Sequence, residues 1–74
     1  MNRNILNGKW KQLRGEVKRR WGQLTDDELD QANGDYDILA GRIQERYGYA
    51  RDRAERDLDA FLADYGDEAD AVGR

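Results

Sequence analysis

The chain has no cysteine, no histidine, no serine and no proline. Without cysteine there is no disulfide staple and no thiolate chemistry, and the composition suits a reducing compartment. Nucleophilic triads need a serine or cysteine beside a base, usually histidine, and all three residue types are missing. Zinc and copper sites lose their usual ligands for the same reason. Without proline, no position is barred from a helix interior on that account. Long apolar runs are absent too, so nothing reads as a signal peptide or a membrane span. A cytoplasmic protein is the expectation.

What remains is a 74-residue chain, 38% hydrophobic and 39% charged, with eight glycines, two Trp, four Tyr and one Phe. That length allows one small domain near the lower limit for a self-sufficient core. The composition approaches that of disordered chains, but the aromatics fall at helical spacing and argue for a modest folded core. The net charge of -3 hides segregation into blocks. Residues 1–24 carry +6, residues 25–41 carry -6, residues 42–56 carry +2 and residues 57–74 carry -5. Alternating blocks favour pairing between helices over a single partner of fixed sign.

One stretch is written twice. Residues 7–22, NGKWKQLRGEVKRRWG, align with residues 33–48, NGDYDILAGRIQERYG. Six of the sixteen positions are identical, Asn7/Asn33, Gly8/Gly34, Leu13/Leu39, Gly15/Gly41, Arg20/Arg46 and Gly22/Gly48, where chance gives about one. Trp10/Tyr36, Val17/Ile43 and Trp21/Tyr47 conserve character, whereas Lys9 and Lys11 become Asp35 and Asp37. The repeat keeps apolar and glycine positions and discards the charge. A functional surface, if there is one, is therefore expected where the copies differ.

The spacing of Leu6, Trp10, Leu13, Val17 and Trp21 predicts one face of a long first helix, with Asn2 or Asn4 as its cap and Gly22 as the αL residue behind it. Gly8 and Gly15 within it predict a close backbone approach or a weak helix start near Gly8. Thr25 and Glu28, three apart, predict a capping box on a short second helix that buries Leu29 and Ala32 and ends at Gly34. Tyr36, Leu39, Ile43 and Tyr47 predict a third helix closed by Gly48, with Ile38 and Ala40 adding apolar area. Asp52 and Glu55 offer a capping pair for a last helix that buries Ala54, Leu58, Phe61, Leu62 and Tyr65 and stops at Gly66. The expected core is Leu6, Trp10, Leu13, Val17, Trp21, Leu29, Leu39, Ile43, Tyr47, Leu58, Phe61 and Leu62. The fold class is all-α, a small bundle of about four helices. Two helical hairpins pack orthogonally with an internal pseudo-twofold repeat that gathers the aromatics. The domain spans residues 1–66, with a short frayed acidic tail over residues 67–74.

The runs GKWKQLRGEVKRRWGQLTDDELD and AGRIQERYGYARDRAERDLDAF resemble the CsbD-like family of bacterial general-stress-response proteins. The resemblance covers residues 5–62. It rests on G-x-W-K-Q-L-K/R-G ahead of W-G-x-L-T-D-D, and on the later G-K/R-I/L-Q-E-R-Y-G-Y. It implies a small cytoplasmic helical protein whose abundance rises under stress, folded as orthogonal helical hairpins of the SAM-like kind. It brings no catalytic activity, cofactor or fixed binding site. Ala50 stands where the family often has a polar cap, Asn33 and Asp35 make the second glycine turn more acidic than usual, and the tail after Tyr65 has no clear counterpart.

Candidate chemistry is sparse. Thr25 is the sole aliphatic hydroxyl, and its cap accounts for it. Asp26, Asp27, Glu28 and Asp30, like Asp35 and Asp37, sit in an open acidic run where general acid chemistry lacks the desolvation it needs. Asp30, Asn33, Asp35 and Asp37 offer oxygens for calcium but lack EF-hand spacing. Lys9, Lys11, Arg14, Lys18, Arg19 and Arg20 make a basic helix, and these six are the candidate nucleic-acid contacts, to be read by a salt-dependent affinity. Against that stand the acidic blocks and an isoelectric point near 4.8. A membrane-surface role for the same helix would expose Trp10 and Trp21, which the core needs. The expected function is therefore a non-enzymatic general-stress protein acting by protein interaction or bulk protection, with a nucleic-acid-binding helical module as the alternative. No cofactor and no metal is expected, the partner is an unspecified protein or none, and the chain is expected to be a monomer.

Overall fold

In the computed structural model the backbone is described for residues 4–72 and side-chain surroundings for residues 4–64. Asn2 as a cap and the burial of Tyr65 lie outside the described residues. The order of elements is α1 (Asn4–Gly8), α2 (Trp10–Arg20), α3 (Asp26–Ala32), α4 (Tyr36–Tyr47) and α5 (Arg51–Val72). The protein is all-α, with no strand among the described residues.

The amphipathic spacing carries the packing. Leu6, Leu13, Val17, Leu29, Leu39, Ile43, Leu58 and Leu62 are almost fully buried, joined by Trp10, Trp21 and Phe61. Each such side chain contributes roughly 1.5–3 kcal/mol of transfer free energy. Helix α4 lies at the centre, packed against α5, α3 and α1, while α2 packs on α3. Trp21 meets Phe61 edge-on with ring centroids 5.3 Å apart, which ties the end of α2 to α5. Tyr36 is buried, as the gathering of the aromatics implies, and Leu24 is buried although it is not in the expected core. Leu24 lies outside any helical period, in the α2–α3 connection. Tyr47 is only partly buried, stacked on Tyr49 at the surface. Ile38 adds little apolar burial, being 41% exposed, because the inward face of α4 runs through Tyr36, Leu39, Ala40 and Ile43.

The first helix is broken. Lys9 has φ -116° and ψ 24°, directly after Gly8, although its N–H still donates to the Ile5 carbonyl at 2.9 Å. A weak start near Gly8 is thus found. A close approach at Gly8 or Gly15 is not, since a Cβ there meets nothing within 4 Å among the described residues. The close approach is at Gly34, where φ is +83° and a Cβ would stand 3.0 Å from Asn7 Cα and 3.2 Å from Trp10 Cβ. The turn between α3 and α4 is therefore pressed into the break between α1 and α2.

The ends of the helices divide between expectation and correction. Thr25 and Glu28 form the capping box on α3, and Gly48 closes α4 in the αL region. Gly22 is not αL: α2 ends at Arg20 with Trp21 as its C-cap, the connection is closed by Leu24 N–H to the Trp21 carbonyl at 3.1 Å, and the chain needs no left-handed residue there. Asp52 and Glu55 do not cap α5, which already starts at Arg51 with Ala54 N–H donating to the Ala50 carbonyl at 3.1 Å. Glu55 accepts from Arg51 instead. Gly66 does not stop α5, which continues to Val72. A helical glycine costs only about 1 kcal/mol, and the alanines around it favour the helix.

Candidate functional site

The two Asn-Gly dipeptides of the repeat meet at the α1–α2 break. In the second copy Asn33 (φ 49°) and Gly34 (φ 83°) form a left-handed turn that packs Gly34 against Asn7 and Trp10. In the first copy Asn7 and Gly8 end α1. An opening lies beside each dipeptide. The larger, about 520 Å³, is lined by residues 7–12 and Asn33. The smaller, about 250 Å³, is lined by Asn4, Asn7 and residues 34–37. Corresponding positions thus line both openings, with Lys9, Trp10 and Lys11 at one and Asp35, Tyr36 and Asp37 at the other.

The acidic opening is bound up in the fold. Asp35 caps α4, accepting from Ile38 N–H at 3.1 Å. Buried Tyr36 donates its hydroxyl to Asp59 at 2.7 Å. Asp37 accepts from Arg51 at 2.9 Å. The calcium quartet therefore does not converge. Asp30 is held by Arg14, and no three Asp or Glu among the described residues are grouped to hold a metal ion.

The six basic candidates separate. Arg14 reaches across to Asp30 and to the Asp26 carbonyl. Lys18 donates to the Leu24 carbonyl at 2.5 Å. Arg19 makes a long contact to Glu16 at 3.4 Å, and Arg20 lies over the Trp21 ring at 5.7 Å. Lys9 and Lys11 have no ion pair or hydrogen bond from their side chains among the described residues. The basic face is not one surface: Lys9 and Lys11 share one opening, and Arg19 and Arg20 share another with Glu16 and Asp64.

The other arginines tie helices together. Arg46 donates to both Glu28 oxygens at 2.9 and 3.0 Å, Arg42 to Gln31 at 2.7 Å, and Arg51 to Asp37 and Glu55. Glu28 is held below the ordinary glutamate range, first by the Thr25 N–H and then by Arg46. The Arg51 guanidinium is pushed above its ordinary value, first by the bond to Glu55. Thr25 Oγ1 accepts from Glu28 N–H at 3.1 Å, which occupies the single aliphatic hydroxyl in capping. Of the six basic candidates only Arg14 pairs with the acidic block that follows. Lys18 bonds a carbonyl, Arg19 pairs within its own helix, and Lys9, Lys11 and Arg20 make no ion pair among the described residues. Arg46 and Arg51, by contrast, do pair across helices. Asn7 and Gln12 belong to the same opening as Lys9 and Lys11 and were not among the candidates, and Asn33 was considered only for calcium. The repeated Asn-Gly dipeptide is the signal that marks their place.

Residues 4–56 match the family described as CsbD-like. The chain is 51% identical over 61 residues to a UPF0337 protein of Pseudomonas aeruginosa, a match covering 82% of this chain and 94% of that one. It is 52% identical over 62 residues to a UPF0337 protein of Bordetella pertussis, covering 84% and 94%. It is 50% identical over 58 residues to the UPF0337 protein YjbJ of Escherichia coli K12, covering 78% and 84%. The matched region contains both openings and both copies of the repeat.

Proposed function

The chain belongs to the CsbD-like family, and on that premise we propose that it is a bacterial general-stress protein that works without catalysis, by contact with other proteins or by bulk protection of them. The observation that carries this reading is how the charge is disposed. Arginines and carboxylates tie helix to helix, and the lone aliphatic hydroxyl is spent in a cap. Among the described residues the surface shows one exposed large hydrophobic side chain, Ile38. Such a surface stays hydrated and resists self-association at high concentration. No helix among the described residues is long and apolar enough to cross a membrane. A cytoplasmic protein acting as a monomer fits the reading.

The test is protection of an unrelated enzyme from aggregation on heating or drying, at matched mass ratio, against an inert protein of similar size and charge. Protection beyond the inert protein supports the reading. Equal protection would falsify a specific role. The nucleic-acid alternative keeps Lys9 and Lys11 with unspent charge in one opening and Arg20 in another, and a duplex titration at low salt with no binding at ~100 μM removes it.

A further inference from the structure

The opening beside Asn7-Gly8 differs from the acidic opening of the second copy, because its side chains have unspent hydrogen-bonding capacity. The ammonium groups of Lys9 and Lys11 and the side-chain amides of Asn7, Gln12 and Asn33 have no partner among the described residues. Trp10 forms part of the same wall. The residue is 9% exposed; its indole N–H makes no hydrogen bond among the described residues and is not among their buried unsatisfied groups, so it stays open to solvent. No carboxylate lines this opening. The corresponding groups of the second copy are all satisfied within the fold, by Ile38, Asp59 and Arg51.

We propose that the opening lined by Lys9, Trp10 and Lys11 is a binding site for a small oxyanion, a molecule bearing phosphate or carboxylate groups. Two ammonium groups supply the charge, and the amides and the indole N–H supply neutral donors around them. The ligand is small for a reason visible in the repeat. Beyond Gly34 the wall becomes Asp35 and Asp37, and like charge there repels any anion that spans both openings. A nucleic-acid duplex meets that repulsion and a single-site oxyanion does not. The binding is weak and salt-sensitive, because both lysines are exposed. This inference stands apart from the stress reading and survives if that reading fails.

Two tryptophans make the test internal. Amide and indole N–H resonances of the full chain are followed by NMR in low salt, during titration with inorganic pyrophosphate and, separately, with citrate. Sodium chloride at matched ionic strength is the reference. The expected result is a saturable shift of the Trp10 indole and of the amides of Lys9 to Gln12 and Asn33, while the Trp21 indole stays still. The double variant K9Q/K11Q should bind about tenfold more weakly, whereas R19Q/R20Q on the same helix binds as the unaltered chain does. Since Lys9 and Lys11 hold nothing in the fold, K9Q/K11Q should keep the Trp21 indole position, which confirms that it remains folded. Response to one anion and not the other assigns the site to phosphates or to carboxylates. Shifts that chloride reproduces, equal movement of both indoles, or equal weakening by R19Q/R20Q would each overturn the site. So would tighter binding of a short duplex than of pyrophosphate.

Discussion

At Asn33-Gly34 the backbone is left-handed at both residues and packed against a neighbouring helix, whereas at Asn7-Gly8 the same dipeptide ends a helix and opens to solvent. The residues that follow diverge in the same sense. Asp35, Tyr36 and Asp37 cap a helix, anchor a buried hydroxyl and bind Arg51. Lys9 and Lys11 do none of this. The second copy has become scaffold at these positions, and the first copy keeps the same apolar spacing while leaving Lys9 and Lys11 unspent. Duplication with charge inversion has thus separated two tasks, holding the bundle together and presenting a surface, onto matched positions of one repeat.

The largest test of that asymmetry uses the residues that end the two copies. Trp21 is 3% exposed and packs on Phe61, while Tyr47 is half-buried and stacks on Tyr49 with centroids 5.4 Å apart. Trp21→Ala should cost about 3–5 kcal/mol, which leaves so small a domain largely unfolded. Tyr47→Ala should cost roughly half as much, from partial burial and from the hydroxyl that accepts from Gln23 N–H. Urea unfolding followed by circular dichroism measures both, and equal losses would break the comparison.

The glycines of the two dipeptides give the next test. Gly34→Ala combines a left-handed φ with a Cβ only 3.0 Å from Asn7 Cα, and should destabilise by about 2–4 kcal/mol. Gly8→Ala meets open space and should change stability by less than about 1 kcal/mol. A mild effect at Gly34 would mean that the turn is free to move away from the α1–α2 break.

These two pairs also mark where the sequence was legible. Period and capping were: the Leu6, Trp10, Leu13, Val17, Trp21 spacing places the core, and Thr25 with Glu28 places the start of α3, because both signals are local. Gly34 as the close approach was not, since only the packed bundle brings the α3–α4 turn to Asn7. Leu24 escaped because it is buried from a connection that has no periodicity. Gly22 and Gly66 misled because glycine permits an end without requiring one. The sequence singled out all six basic residues of α2 alike, and cross-helix geometry then divided them, giving Arg14 to Asp30 and leaving Lys9 and Lys11 unpaired.

Arg20 and Arg46, identical in the repeat, are distinguished by pH. Arg46 and the Thr25 N–H hold the folded-state Glu28 below its ordinary value of 4.5. A depressed carboxyl contributes stability that is fully present above the unfolded value and is lost as pH falls through the folded one. Arg46→Gln should therefore lower the urea midpoint at neutral pH and flatten the loss of stability on acidification below about pH 4.5. The flattening is partial, because the Thr25 bond remains the larger cause. Arg20→Gln, which leaves Glu28 untouched, should keep the full acid slope. The same slope in both variants would detach Arg46 from the effect.

The smallest effects come from the one matched pair expected to behave alike. Gly15 and Gly41 sit inside α2 and α4, and a Cβ at either meets nothing within 4 Å among the described residues. Alanine at each should stabilise by about 0.5–1 kcal/mol, because it removes unfolded-state freedom and adds helix propensity without a clash. The two gains should add in the double variant if the copies respond independently, which thermal unfolding reads directly. A gain at Gly15 with a loss at Gly41 would show that the second copy's outer face is covered in solution. The scaffold half of the repeat would then carry an interface as well, and the division of labour between the copies would have to be redrawn around α4.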